Sequence, residues 1–206
     1  MCPLRASAAQ KRIRKAALEL FAEKGTSSVT ISELAAASGV VRGTIYKNVS
    51  SPEQLFETIA MQLASEMDRQ IVASYAGVDD PAHRLAIGIR LYVRRAHDEP
   101  HWGRFLVQFA MTNEALRDIW SGPPVQDLAR GVESGRYDIE KNEIISALSV
   151  LAGATLAAIV LVLDGIKTWR EAGTEVAAAV LRSLGIARDE AREIASRPLP
   201  DLVDLD

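Results

Sequence analysis

Residues 29–55 read VTISELAAASGVVRGTIYKNVSSPEQL, and the spacing of capping, small and apolar residues in this stretch decides the fold. Thr30 followed three residues on by Glu33 has the pattern of a capping box, and Ile31, Leu34, Ala35 and Ser38 then recur on one helical face. Gly39 ends that helix, because glycine adopts the left-handed backbone of a sharp turn without steric cost. Small Ala35 lets the next helix, which carries Val40 and Ile45, cross closely over the first. That second helix is clamped on one side and leaves Arg42, Thr44, Tyr46 and Lys47 on the other. These side chains supply cations and donors suited to phosphates and base edges, while Gly43 permits close approach of the backbone. Two short helices joined by a glycine turn, with a newly capped third behind them, have the layout of a helix-turn-helix DNA reader.

Upstream, Ile13, Ala17, Leu20 and Phe21 mark the buried side of a first helix from about Ser7 to Lys24, stopped by Gly25. Downstream, Ser51, Pro52 and Gln54 provide an N-cap, a first-position proline and a capping partner for a long fourth helix. Leu55, Ile59, Leu63 and Met67 recur along it every four residues, to about Ser74. The formal charge of -3 hides a division: residues 1–50 hold eight Lys or Arg against three Asp or Glu, and residues 51–206 hold sixteen against twenty-four. A basic head on an acidic body is what phosphate attraction at one end requires. Lys11, Arg12, Arg14 and Lys15 are either part of that attraction or only a solvated helix face, and the reader behind them favours the first.

On these residues the segment resembles the DNA-binding domain of the TetR (tetracycline-repressor-like) family, over roughly residues 8 to 58. The matching positions are Gly25, Thr30-Ile31, Ala35, Gly39-Val40, Gly43, Tyr46 and Pro52-Glu53-Gln54-Leu55. The chain departs from the family pattern at Val41, where Ser or Thr is usual, at Asn48-Val49, where an aromatic precedes Phe, and at Pro52, where Lys is frequent. These changes remove an N-cap, some packing and one phosphate contact. The resemblance implies a three-helix reader in residues 1–50 and a helical effector-binding and dimerisation domain in residues 51–206. It implies a ligand-responsive repressor that binds a palindromic operator as a dimer, with Thr30, Arg42, Gly43, Thr44, Tyr46 and Lys47 at the DNA.

The 206 residues, 48% of them hydrophobic, suffice for a substantial core in one large or two small domains. No alternating strand pattern of useful length occurs, so the expected class is all-α. Helical patches follow at about 81–97, 101–112, 113–120, 124–134, 140–163, 168–184 and 189–196, separated by breakers such as Pro100, Gly122-Pro123-Pro124, Gly135 and Gly165. Residues 144–163 are twenty in a row without a charge, long enough to span a hydrocarbon core. Ser146, Ser149, Gly153, Thr155 and several alanines make them only moderately apolar, and no basic cluster flanks them, so a buried helix outside any membrane is the preferred reading. A single cysteine, Cys2, excludes an intramolecular disulfide framework. The basic, Ala-rich start lacks a continuous apolar leader, and a cytoplasmic location is expected.

Two segments suggest self-association. The helix near 140–163 is apolar on most faces, and Val176, Ala177, Val180, Leu181 and Leu184 form a stripe in the helix near 168–184. Paired across a two-fold axis they would make a four-helix bundle, as the resemblance also implies; the alternative is that both complete a monomer core. Trp102, Phe105, Phe109 and Trp120, with Tyr92, Met61 and Met67, are candidates to line a pocket for a small apolar effector, or simply to pack. His97, His101, Arg94 and Arg95 are candidates to orient a polar substituent. An enzyme is the competing class, yet there is no phosphate-cradling loop, no HExxH or CxxC, and only three histidines. Neither a metal nor a cofactor is expected. A third reading keeps the helical ligand-binding dimer but lets the reader degenerate, on the strength of Val41, Asn48, Val49 and Pro52.

Overall fold

The computed structural model describes residues 8–25, 28–114, 116 and 122–203. The fold is all-helical, and the chain divides into two compact units, Met1–Leu63 and Ala64–Asp206. In the first unit lie α1 (Ala8–Lys24), α2 (Ile31–Ser38), α3 (Arg42–Asn48) and the start of α4 (Pro52–Ser74). The remainder of α4 belongs to the second, with α5 (Pro81–Asp98), α6 (Pro100–Phe109), α7 (Pro123–Glu133), a 3-10 turn at Lys141–Glu143, α8 (Ile144–Leu163), α9 (Trp169–Ser183) and α10 (Arg188–Ser196). The helix expected at 113–120 lies almost wholly outside the described residues.

The local signals in the first unit act as their chemistry dictates. The Thr30 hydroxyl accepts from the Glu33 amide at 3.3 Å and the Glu33 carboxylate accepts from the Thr30 amide at 2.9 Å, closing the capping box. Gly39 sits at φ 62°, in the left-handed region, and Gly25 ends α1 at φ 76°. Ile13, Ala17, Phe21, Leu34 and Ile45 are buried, and Phe21 meets Phe56 of α4 edge to face at 5.3 Å. The Gln54 amide donates to Ser51 Oγ at 3.2 Å, which caps α4.

In the second unit α5 is the central helix, packed against α6, α7, α8, α9 and α10. Asp80 caps it, accepting from the Ala82 amide at 3.1 Å, with Pro81 at the first position. Gly131 of α7 admits the ring of buried Tyr137, which would lie 1.9 Å from any Cβ there. A buried cation ties α4 to α5 and α6. Arg95 bonds Glu66 at 2.8 Å, Gln70 at 3.0 Å and Glu99 at 3.1 Å, and its guanidinium stands 4.8 Å from the centre of the Trp102 ring.

α8 buries Leu151, Ala152, Thr155, Leu156, Ala158, Ile159 and Val162, while Ile145, Ser149, Val150, Gly153 and Ala157 are exposed. With the 3-10 turn before it, it is a helix long and apolar enough to cross a membrane, and well under half of its most apolar stretch is buried. The stripe of α9 is used differently from the sequence-based expectation. Ala177, Val180 and Leu181, with Leu184 beyond the helix end, are buried within this chain, so they complete its own core. Glu175, Ala179 and Arg182 face outward instead.

Candidate functional site

The reader is built from α2 and α3. Leu34 and Ile45 are fully buried, and the Ser38 hydroxyl, buried beside them, donates to the Leu34 carbonyl at 2.5 Å, so it leaves no unmet polar group in the core. Burying Ile45 turns Arg42, Tyr46 and Lys47 outward, and all three are exposed. Thr44 is half-buried, and its amide donates to the Val41 carbonyl at 2.9 Å. A Cβ at Gly43 would meet nothing within 4 Å, so packing does not demand glycine; its effect is to leave the backbone of the first turn bare. Val41 occupies the N-cap of α3 with no side-chain hydrogen bond and is 74% exposed, so the cap lost by this residue is not replaced. Val49 is buried and packs in place of a larger side chain.

Thr30 is more committed than its position suggests. Its hydroxyl donates to Glu33 Oε2 at 2.8 Å while accepting from the Glu33 amide, so a phosphate contact would require exchanging the first of these bonds. Glu33 is also paired with Lys24 at 2.7 Å, and hydrogen bonds from Lys24 and Thr30 hold its carboxyl down to about 2. Through Lys24 the box therefore ties the end of α1 to the start of α2.

The second unit contains a small pocket with a cavity volume of about 30 Å³. Its apolar wall comes from Ile71, Leu85, Ile89 and Leu151, with Pro123 and Pro124 at the start of α7 and Gly88 in the middle of α5. Asp68, Arg84, Asp127 and Thr155 supply the polar atoms, and Tyr75 and Tyr92 line it as well. Asp127 is the buried charge among them. Burial raises its carboxyl, against the opposing pull of Arg84 at 3.4 Å and Arg130 at 4.0 Å. Burial, then the nearby Asp127 charge, pushes the Tyr75 hydroxyl up to about 12. The Arg84 guanidinium also bonds the Val78 carbonyl and lies 5.3 Å from the centre of the Tyr75 ring, so it is held from three sides. Thr155 directs its hydroxyl to the Leu151 carbonyl at 2.7 Å.

Two family models fit these two units: that of the bacterial regulatory proteins of the tetR family matches residues 13–59, and that of the tetracyclin repressor-like C-terminal domain matches residues 80–197. The chain belongs to the TetR family. That membership places it among transcriptional regulators rather than enzymes, with a helix-turn-helix DNA-binding segment at the N-terminal end. The crystal structure of RolR in complex with resorcinol is 31% identical, with a TM-score of 0.72 over 95% of this chain and 96% of RolR. An uncharacterized HTH-type transcriptional regulator of Mycobacterium tuberculosis is 32% identical over 96 residues, covering 47% of this chain. The chain spans about half the length of the curated relatives it matches, 48% for that protein. FadR of Bacillus subtilis in complex with stearoyl-CoA shares the fold at 19% identity, with a TM-score of 0.69 over 86% of this chain and 99% of FadR.

Within this TetR fold the candidate residues separate. Arg42, Gly43, Thr44, Tyr46 and Lys47 fall together on α3, with Thr30 at the start of the supporting α2. The effector candidates do not gather in the same way. Tyr92 lines the pocket, whereas Met67, Trp102 and Phe105 are buried outside its lining, and Phe109 is half-buried outside it too. Met61 is 54% exposed and belongs to the first unit, and Trp120 lies outside the described residues. Arg95 is locked in its own cluster and Arg94 pairs with Asp98 and Asp201, so neither lines the pocket, nor do His97 and His101. The polar groups that do line it, Arg84 and Asp127 above all, were not singled out from sequence. A signal for Asp127 existed: Pro124, Asp127, Leu128 and Gly131 fall at i, i+3, i+4 and i+7, which puts a carboxylate on the inward face of α7.

Proposed function

We propose that this protein is a sequence-specific DNA-binding transcriptional regulator, a ligand-responsive repressor that acts as a homodimer on a palindromic operator. The observation that carries the reading is α3: Ile45 is buried against α2, so Arg42, Tyr46 and Lys47 present one exposed cationic and donor face beside a bare Gly43 backbone. Arg42 and Thr44 are assigned to base edges or nearby phosphates, and Tyr46 and Lys47 to the DNA backbone. Thr30 contributes chiefly by fixing α2. Residues 1–50 form the reading head, and residues 51–206 bind effector and partner.

The dimer seam is assigned to the exposed side of α8. Ile145, Ser149, Gly153 and Ala157 recur there every four residues, and small side chains let a second copy approach closely; lipid is a poorer match to a face that also carries Ser146 and Ser149. From α9 the seam draws Glu175, Ala179 and Arg182 rather than the buried stripe. Two heads then meet half-sites about 34 to 36 Å apart, or a multiple of that.

The α5–α7–α8 pocket is assigned to the effector. RolR, similar over nearly the whole chain, is seen with a small aromatic ligand, which supports that assignment. Because α4 supplies Phe56 to the core of the first unit and Asp68 and Ile71 to the pocket of the second, a ligand that shifts α4 changes the spacing of the heads. A coupling of about 1 to 3 kcal/mol would alter operator affinity roughly 5- to 150-fold.

The test is selection of genomic DNA fragments by the purified protein, with sequencing of the bound pool at two salt concentrations. An enriched palindrome whose binding weakens with salt is the expected result. A folded protein that enriches nothing would overturn the reading in favour of a helical ligand-binding dimer with a degenerate reader.

A further inference from the structure

Val41 is a residue that folding does not account for. It stands at the N-cap of α3 in extended backbone, and its carbonyl accepts from the Thr44 amide at 2.9 Å and the Ile45 amide at 3.2 Å, so the main chain there is fixed. The side chain takes no part in this. It is 74% exposed, the highest value for any large apolar side chain among the described residues. Valine is one of the poorest residues at an N-cap, where Ser, Thr, Asn or Asp would satisfy an amide of the first turn. Neither core nor helix gains from it. A lone exposed valine elsewhere would call for no account. This one stands where a stabilising cap belongs, next to exposed Arg42 and the bare backbone of Gly43, on the helix that carries the reading residues.

The chemistry of the major groove restricts what such a side chain can meet there. In a helix-turn-helix the second helix lies in that groove with its first residues at the base edges. An isopropyl group has no donor for a phosphate and would strip water from that charge without replacing it. Guanine, adenine and cytosine present N7, O6, N6 or N4, so covering them with an apolar group leaves donors or acceptors unmet. Thymine alone presents a C5 methyl, which gains from being covered. Branching at Cβ restricts χ1, and with the main chain already held, little freedom is lost when the contact forms.

Resting on α3 as the reading helix of a dimer, we infer that Val41 is a specificity-determining residue that packs against the C5 methyl of one thymine in each operator half-site. The cap given up in the free protein is exchanged for selectivity at one base pair.

The test uses the full-length protein and the operator it selects from genomic DNA, with each thymine replaced in turn, in both half-sites together, by deoxyuridine, which lacks only the methyl. Binding is followed by fluorescence anisotropy of the labelled duplex. At one position the parent is expected to weaken by about fourfold per half-site, the equivalent of one buried methyl, and so by about fifteenfold for both. Val41→Ser, which restores the cap and should keep the helical spectrum and the Tm, is expected to bind thymine and uracil equally at that position. Val41→Ile, still apolar and branched at Cβ, should retain the discrimination. A parent that binds its operator and is indifferent to every uracil would overturn the role of Val41 while leaving the reader intact. So would a uracil effect that persists undiminished in Val41→Ser, since another side chain would then cover the methyl. A protein that selects no operator would instead refute α3 as a reading helix, and this inference with it.

Discussion

Replacing Arg95 probes the second unit where its α-helices are most tightly interlocked. The side chain is 6% exposed and serves Glu66, Gln70 and Glu99 together, with Trp102 beneath it. Removing one member of a buried ion pair costs about 3 to 5 kcal/mol when the orphaned charge stays dry. Here the orphans are not dry: the side chains of Glu66 and Glu99 are 28% and 53% exposed, so they regain water and the Coulombic loss is reduced. Against that, the cation-π contact, worth about 0.5 to 2 kcal/mol, and the packing of the alkyl stem are also lost. Taken together, Arg95→Ala should destabilise the unit by about 2 to 4 kcal/mol. Arg95→Lys should lose a substantial share of that, because a single ammonium cannot replace a planar fork that reaches three acceptors in different directions. Urea denaturation followed by tryptophan fluorescence reads this unit alone, since Trp102, Trp120 and Trp169 all lie beyond residue 63. A loss below about 1 kcal/mol for Arg95→Ala, the range of an exposed ion pair, would refute the reasoning. A Lys variant as stable as the parent would show that charge alone matters and geometry does not.

Three further outcomes are expected. Arg42→Ala should cost about 1 to 3 kcal/mol at the selected operator if the guanidinium reads a guanine; an equal loss on random DNA in a salt-matched binding assay would make it a phosphate contact. Gly131→Ala should lower the Tm despite its better helix propensity, because the added Cβ would lie 1.9 Å from the Tyr137 ring; overpacking of this kind costs about 1 to 3 kcal/mol or more, and an unchanged melting curve would count against the close approach. The Glu33 carboxyl is held at about 2 in the folded chain against an ordinary 4.5, so the stability it contributes is complete above the higher value and lost as the pH falls toward the lower one. Amide exchange across residues 31–38, corrected for intrinsic rates, should show protection falling in that interval for the parent and not for Glu33→Gln.

Much of this architecture is decided by neighbours in sequence. The Thr30-Glu33 box, the left-handed turn at Gly39, Pro81 behind the Asp80 cap and the breaker at Gly165 are local chemistry, satisfied within a few residues. For that reason the helices from α1 to α10 stand close to where periodicity and caps put them, and the outward face of α3 follows once Ile45 is known to point inward. What lies across the fold was not legible in the same way. Aromatic spacing singled out Trp102, Phe105 and Met67 as pocket candidates, but these large side chains fill the interior, as burial of apolar area favours. The stripe on α9 looked like a seam until α5 and α8 were seen to cover it. Asp127 and Arg84 are 43 residues apart and meet only because α5 and α7 pack together. Periodicity states which face of a helix turns inward. It does not state whether that face meets another helix, a second copy of the chain or an open space, since that depends on which distant element arrives there, and here tertiary packing alone decided it.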